Sequence, residues 1–153
     1  MEHGDRTTSL MFGVQWDLTL KYLETKGTSQ ADLKTNSTSW GNYSDNLWNI
    51  TNANLKYLSS GTSWTTATEK SKTSSEDILL STGASESFSK MKIYDLAGNE
   101  WEWTLEYTSD TIGPCAIRGG SYYYSGSDGP ASYRSGYDTT SLGDFIGFRL
   151  ALY

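Results

Sequence analysis

Eleven tyrosines, six tryptophans and four phenylalanines are spread through a chain in which 41 of 153 residues are Ser or Thr and 15 are Gly. Rings in that number bury enough apolar area to offset the entropy of ordering the chain, so a folded rather than disordered protein is expected. The same composition argues against a long helical bundle. Ser, Thr, Gly and Tyr are poor or middling helix formers and suit turns and short strands. A length of 153 residues supplies one modest core, and 1–153 is expected to form one domain.

Twelve Lys and Arg against 18 Asp and Glu leave a formal charge of −6. Such a chain repels phosphate backbones, so no nucleic-acid partner is expected. No stretch approaches the roughly 20 apolar residues that cross a bilayer, so no membrane insertion is expected. The segment Met1–Arg6 has no apolar core of a secretory signal. Cys115 is the single cysteine, which excludes an internal disulfide, and His3 is the single histidine. Imidazole metal sites and His-based catalytic triads therefore cannot be assembled.

Along the chain, Trp16, Leu20 and Leu23 share one helical face. They predict a helix from about Val14 to the stop signal Lys26-Gly27, docked on a sheet. Between Trp40 and Trp64 the abundance of Asn, Ser, Gly and Trp predicts a long folded loop plugged by rings. Trp101, Trp103, Leu105 and Tyr107 alternate and predict a strand; Trp101 and Trp103 are assigned to the core, since a strand with large rings on one face is expected to bury them. Arg118-Gly119-Gly120-Ser121 reads as the start of another strand, its glycines permitting close backbone approach. Ile146–Tyr153 reads as a short terminal strand.

Four segments occur in order: Trp40-Gly41-Asn42, Tyr94-Asp95-Leu96-Ala97-Gly98-Asn99-Glu100-Trp101-Glu102-Trp103-Thr104, Arg118-Gly119-Gly120-Ser121 and Gly147-Phe148-Arg149. Together they resemble the formylglycine-generating-enzyme (sulfatase-modifying factor) family over roughly residues 14–153. The resemblance implies an α+β chain with the C-type lectin-like fold of the formylglycine-generating-enzyme type. Members usually carry more sequence before the helix, so the chain resembles the C-terminal part of such a protein or a compact version of it. In catalytic members two cysteines after the Gly-Gly-Ser strand hold copper and carry out the oxidation. Counting forward, those positions fall at about Tyr124 and Gly129, and neither residue forms a thiolate. Other oxidative relatives use a His-rich iron site, which His3 alone cannot supply. The resemblance thus implies the family fold with no catalytic residues, and the chain is expected not to be an enzyme.

Between Ser121 and Ile146, 18 of 26 residues are Ser, Tyr, Gly or Asp, and Asn is absent although seven occur elsewhere. This is the vocabulary of an antibody-like paratope, in which Tyr gives large amphipathic contact at little entropic cost and small polar residues adapt around it. The segment also resembles the variable proteins of diversity-generating retroelements in phages and bacteria, in which adenine-directed mutagenesis turns Asn codons of a template into Tyr, Ser, Asp and Gly. That resemblance implies a variable binding segment over 121–146. It also implies a protein or surface-glycan ligand and a setting on a phage tail or bacterial cell surface. The candidate ligand-binding residues are Tyr122, Tyr123, Tyr124, Ser125, Ser127, Asp128, Tyr133, Ser135, Gly136, Tyr137, Asp138, Asp144 and Phe145. If Tyr122–Tyr124 continue the preceding strand, Tyr123 points opposite to the other two and at least one ring packs inward. Arg134 is read as a brace that bonds loop carbonyls, and Arg149 as the partner of a buried carboxylate. A fixed-specificity adhesin and an oxidase of the formylglycine-generating type are the alternative readings.

The family binds calcium near the Asp95–Glu102 turn, which implies ligands from the side chains of Asp95 and Glu102 and the carbonyls of Gly98 and Glu100. Hard oxygen ligands in a tight turn suit Ca²⁺. The alternative is that Glu102 pairs with an arginine and the turn stands without metal. No cofactor is required, and calcium would serve a structural role. The acid-Pro-Asn or Gln-Pro-Asp turn of sugar-binding C-type lectins is absent, since the two prolines lie in Gly113-Pro114-Cys115 and Gly129-Pro130-Ala131. Calcium-mediated sugar binding is therefore not expected.

Overall fold

The computed structural model describes residues 7–60, 62–141 and 143–152. His3 and Tyr153, the latter at the end of the expected terminal strand, lie outside the described residues. A short strand β1 (Thr8–Leu10) leads into helix α1 (Gly13–Thr25). The helix begins where the Phe12 amide donates to Gln15 Oε1 at 2.8 Å. It ends where Gly27, at φ 96°, lets the Thr28 amide reach back to the Leu23 carbonyl at 3.0 Å. The expected stripe of Trp16, Leu20 and Leu23 is buried against Leu33, Trp40, Tyr43, Leu96, Ala97 and Ala131. Helix α2 (Gln30–Lys34) follows, with Leu33 turned into that cluster. Among the described residues no helix is long and apolar enough to cross a membrane.

The expected loop between Trp40 and Trp64 is in large part a strand. Strand β2 (Trp48–Leu58) runs antiparallel to β3 (Thr65–Lys72), and β4 (Leu79–Leu80) joins its other edge. Ile50 and Leu55 are both buried although they are an odd number of residues apart. Register between β2 and β3 shifts between Thr51 and Leu55, and that irregularity inverts the alternation by which a strand is recognised in sequence. These strands enclose a second cluster of Ile50, Leu55, Ile78, Leu80, Ala84 and Phe88.

Beyond a small ladder of β5 (Ser89–Lys90) and β6 (Ile93–Tyr94) lies a four-stranded sheet. It is built from β7 (Trp101–Tyr107), β8 (Cys115–Arg118), β9 (Arg134–Tyr137) and β10 (Ile146–Phe148) in the order β10-β7-β8-β9. β10 is parallel to β7, and the other pairs are antiparallel. After Arg149, β11 (Leu150–Leu152) pairs with β1, so the expected single terminal strand is two strands in two sheets.

Residues opposite one another in a sheet share a face. Glu102 lies opposite Gly147 and Arg118, and Arg118 opposite Arg134, whereas Trp103 lies opposite Phe148 and Ile117, and Ile117 opposite Ser135. The polar set faces α1: Arg118 pairs with Asp17 of the helix and, at 3.4 Å, with Glu106. The aromatic set faces away from the helix. Trp101 is buried as expected, but Trp103 is half-buried, and Leu105 and Tyr107 are exposed. Large rings are not needed inside, because the inward carboxylates of Glu102 and Glu106 are each matched by a guanidinium.

Candidate functional site

Three of the four motif segments converge on one polar hub. The Asn42 side chain donates to the Ile78 carbonyl (2.7 Å) and to Asn99 Oδ1 (2.9 Å), while the Asn99 side chain donates to the Leu80 carbonyl (2.9 Å) and its Oδ1 accepts the Leu80 amide (3.0 Å). The Gly98 amide donates to the Gly119 carbonyl at 2.8 Å, and the Tyr43 hydroxyl reaches the same carbonyl at 3.1 Å. This hub fixes where β8 ends. Gly119 and Gly120 then adopt φ of 92° and 84°, a left-handed conformation that turns the chain out of the sheet. Arg118-Gly119-Gly120-Ser121 therefore closes a strand rather than opening one.

Tyr122, Tyr123 and Tyr124 consequently lie on a turn, closed by the Tyr124 amide on the Ser121 carbonyl at 3.1 Å. The strand alternation expected of them does not occur: Tyr122 is 4% exposed, while Tyr123 and Tyr124 stand 42% and 48% exposed. Tyr122 belongs to the core and not to a ligand face.

The main chain of the segment is held by its surroundings. The Ser37 amide donates to the Gly126 carbonyl, the Ser44 amide to the Tyr124 carbonyl and the Ser132 amide to the Leu33 carbonyl, each at 2.9 Å. Trp16 Nε1 donates to the Ala131 carbonyl at 3.0 Å. Asp45 Oδ1 accepts the Gly126 amide at 3.1 Å, and Ser37 Oγ accepts the Ala131 amide at 2.9 Å. Every one of these bonds uses a backbone group of the segment, so each survives a change of exposed side chain.

Above this frame the rings pack in two sets, with Tyr122 and Trp101 buried beneath the exposed ones. Centroid distances run 4.3 Å from Tyr122 to Tyr123, 5.8 Å from Tyr123 to Phe145, 6.5 Å from Phe145 to Tyr137 and 5.9 Å from Tyr137 to Trp103. Trp101 meets Tyr124 at 5.6 Å and Tyr133 at 5.1 Å. A cavity of about 400 Å³ opens between Tyr123, Tyr124, Phe145 and Asp144. A second, of about 200 Å³, shares Tyr123 and Asp144 and is completed by Tyr122, Leu58, Ser59, Ser60 and Asp77.

The structure thus brings together Tyr123, Tyr124, Tyr133, Tyr137, Asp144 and Phe145. Other expected contacts are engaged elsewhere. Ser125 Oγ donates to Asp128 Oδ2 at 2.7 Å and lies 3.0 Å from Ser127 Oγ, so these three satisfy one another. Asp138 Oδ1 accepts the Thr140 amide (2.9 Å) and hydroxyl (2.8 Å) and caps its own turn. Ser135 and Gly136 are half-buried on the edge strand β9. Arg134 sits on that strand and pairs with Glu106 at 2.6 Å, in place of the expected bonds to loop carbonyls.

Sequence reasoning missed Trp103 and the exposed Phe148 as members of the outer face. The signal was present: if Arg149 needs a buried carboxylate and Glu102 supplies it, Trp103 must point the other way along β7. At the two positions counted for the family's cysteines, Tyr124 is a surface ring and Gly129 has little space. A Cβ at 129 would lie 3.1 Å from Gly120 Cα and 3.2 Å from the Trp101 ring.

The Asp95–Glu102 turn is organised around Arg149. Glu102 Oε2 accepts Nε at 2.9 Å, Glu102 Oε1 accepts Nη2 at 2.6 Å, and Nη2 also reaches the Tyr94 carbonyl at 3.0 Å. Asp95 Oδ2 accepts the Gly83 amide at 2.8 Å, while its buried Oδ1 has no partner among the described residues. Burial lifts the Asp95 carboxyl to about 6, against the pull of the Gly83 amide and Arg149. Glu100 is raised by burial and by repulsion from Glu102 and Asp95. Among the described residues no group of three or more His, Cys, Asp and Glu side chains is arranged to hold a metal ion. The set Asp95, Gly98, Glu100 and Glu102 does not fit a calcium ion in this geometry, because both oxygens of Glu102 are taken by Arg149. The guanidinium ties Glu102 to the Tyr94 carbonyl across the turn.

In the comparison with protein families, residues 19–153 match the sulfatase-modifying factor enzyme 1-like domain. No curated protein and no solved structure matches the chain.

Proposed function

The chain belongs to the sulfatase-modifying factor enzyme 1-like family, and on that premise we propose that it is a non-catalytic ligand-binding domain. Its ligand face is the outer aromatic surface of Tyr123, Tyr124, Tyr133, Tyr137 and Phe145. The observation that carries this reading is the division of labour in segment 121–146: backbone groups of Tyr124, Gly126, Ala131 and Ser132 tie it to the frame, while the rings of Tyr123, Tyr124 and Tyr133 are exposed. The α+β arrangement is consistent with a C-type lectin-like fold, whose role here is to fix the ends of a tolerant segment. Cys115 stands alone on β8, and neither Tyr124 nor Gly129 supplies a thiol, which supports the non-catalytic reading. We further propose that the segment is diversified, as in retroelement variable proteins, and that the domain works on a phage tail or bacterial surface against a protein or surface-glycan receptor. The lack of Asn between 121 and 146 supports this.

Immobilised protein is offered a panel of bacterial cells, next to a variant carrying Tyr123→Ala, Tyr124→Ala and Phe145→Ala with an unchanged melting midpoint. Capture of at least one cell type by the wild type alone is expected. Equal behaviour of the two proteins across the panel sinks the binding-face reading. Diversification is tested on the DNA, where an imperfect repeat of codons 121–149 differing almost only at adenines is expected beside a reverse-transcriptase gene. Without it, the domain is a fixed-specificity adhesin.

A further inference from the structure

The geometry points to a ligand class for this face: we infer that the cavity between Tyr123, Tyr124, Phe145 and Asp144 receives a cationic Lys or Arg side chain from a basic segment of a partner protein. The inference rests on the binding-domain reading above and goes further by naming the chemistry of the partner.

Three rings and one carboxylate line this cavity. A cation over an aromatic face is attracted by the ring quadrupole, and the attraction grows when a carboxylate closes the remaining side. Asp144 is exposed, and no salt bridge to it occurs among the described residues. The adjoining cavity repeats the arrangement, with Asp77 and Asp144 flanking Tyr122 and Tyr123. Among the described residues no Lys or Arg lines either cavity. Burial first, then its bond to Tyr123 and the nearby charges of Asp144 and Glu100, hold the Tyr122 hydroxyl above the ordinary tyrosine value. The Tyr122 phenol therefore remains neutral, and the acidic side chains that line the two cavities are Asp144 and Asp77.

The charge balance of −6 extends that sign over the molecule and favours approach of a basic partner. An acidic peptide or an anionic lipid surface would be repelled from two carboxylates. A neutral saccharide could stack on the rings but would gain nothing from the charges. A basic side chain uses both features, with its aliphatic stem along the rings and its head at Asp144.

The test follows ring resonances of the full chain by NMR during titration with acetyl-Gly-Arg-Gly-amide and acetyl-Gly-Lys-Gly-amide, with the citrulline peptide as the uncharged control. Both basic peptides are expected to shift Tyr123, Tyr124 and Phe145 saturably, and the citrulline peptide is not. Asp144→Asn, at an unchanged melting midpoint, should weaken the basic peptides about fivefold, and added salt should weaken them as well. Equal shifts from citrulline, shifts confined to other residues, no response, or indifference to Asp144→Asn overturns the inference. Captured cells separate the two proposals. If capture needs the three rings but ignores Asp144→Asn and arginine-peptide competition, the cation site is wrong and the binding domain stands; if capture ignores the rings, both fall.

Discussion

Glu102, Thr104 and Glu106 point inward from β7, and each has its own partner: Arg149 for Glu102, the Ala116 carbonyl for Thr104, and Arg118 with Arg134 for Glu106. On the opposite face of the same strand, Trp101 and Trp103 meet other rings, while Leu105 and Tyr107 stand in solvent. Charge-assisted hydrogen bonds depend on distance and angle, so the inner face accepts few substitutes. Contact between rings is far less directional, so the outer face accepts many. The difference places fold specificity in a polar interior and leaves the apolar exterior available for recognition.

The sharpest break of this contrast is Trp16→Ala. Trp16 is fully buried at the junction of α1 with the frame, and its Nε1 holds the Ala131 carbonyl. Removing the ring is expected to cost about 4 kcal/mol in denaturant unfolding. Hydrogen exchange of the Ala131 and Ser132 amides should rise with it, since the segment loses an anchor. A cost below about 1 kcal/mol would mean that the frame does not carry the stability assigned to it.

Arg149→Met addresses the polar interior directly. It leaves Glu102 buried without its bidentate partner, and an expected loss of about 3 kcal/mol follows from stranding that charge. Chelation or addition of calcium should leave the melting midpoint of the wild type unchanged. A rise with calcium would show that the ion competes successfully with the guanidinium for Glu102.

Much of this frame was legible in the sequence, for identifiable physical reasons. Trp16, Leu20 and Leu23 keep a helical period uninterrupted for two turns, and Arg149 next to a terminal strand demanded a carboxylate. The β2–β3 hairpin was not legible, because the register shift between Thr51 and Leu55 moves the buried side chains from even to odd positions. Arg118-Gly119-Gly120-Ser121 reads as a strand start because two left-handed glycines look, in sequence, like any small residues that permit close approach. Of the candidate face, Tyr123, Tyr124, Tyr133, Tyr137, Phe145 and Asp144 were legible in the sequence, whereas Trp103 and Phe148 were not. The internal bonds of Ser125, Ser127 and Asp128 could not be, since they depend on a turn that the backbone anchors create.

The acidic turn offers a pH-dependent version of the same contrast. Asp95 is raised from 3.8 to about 6 in the folded protein. In that interval the folded state holds a proton that the unfolded state has released, so stability declines as pH climbs through it and levels off above. The decline should amount to roughly 2 kcal/mol. Asp95→Asn should abolish it, because an amide oxygen still accepts the Gly83 amide and Asn tolerates the φ of 53° found here. Asp138, lowered by hydrogen bonds from Thr140, acts in the opposite sense, so the quantity to measure is the difference between variant and wild-type unfolding across the interval. Parallel pH profiles would show that Asp95 is not the buried acid described.

The smallest expected effect bears most directly on the outer face. Tyr123→Ser exchanges one residue of the segment for another of its common residues, removes ring contacts to Tyr122 and Phe145, and leaves the local turn, made by the Tyr124 amide and Ser121 carbonyl, untouched. A ring that is 42% exposed gives up only part of its buried area. The expected change is therefore about 0.5 kcal/mol, within the range of ordinary surface substitutions. Thermal unfolding of this variant beside wild type decides the matter. A loss above about 1.5 kcal/mol would make the ring a structural member, and a face built of such rings could not vary without unfolding the frame beneath it.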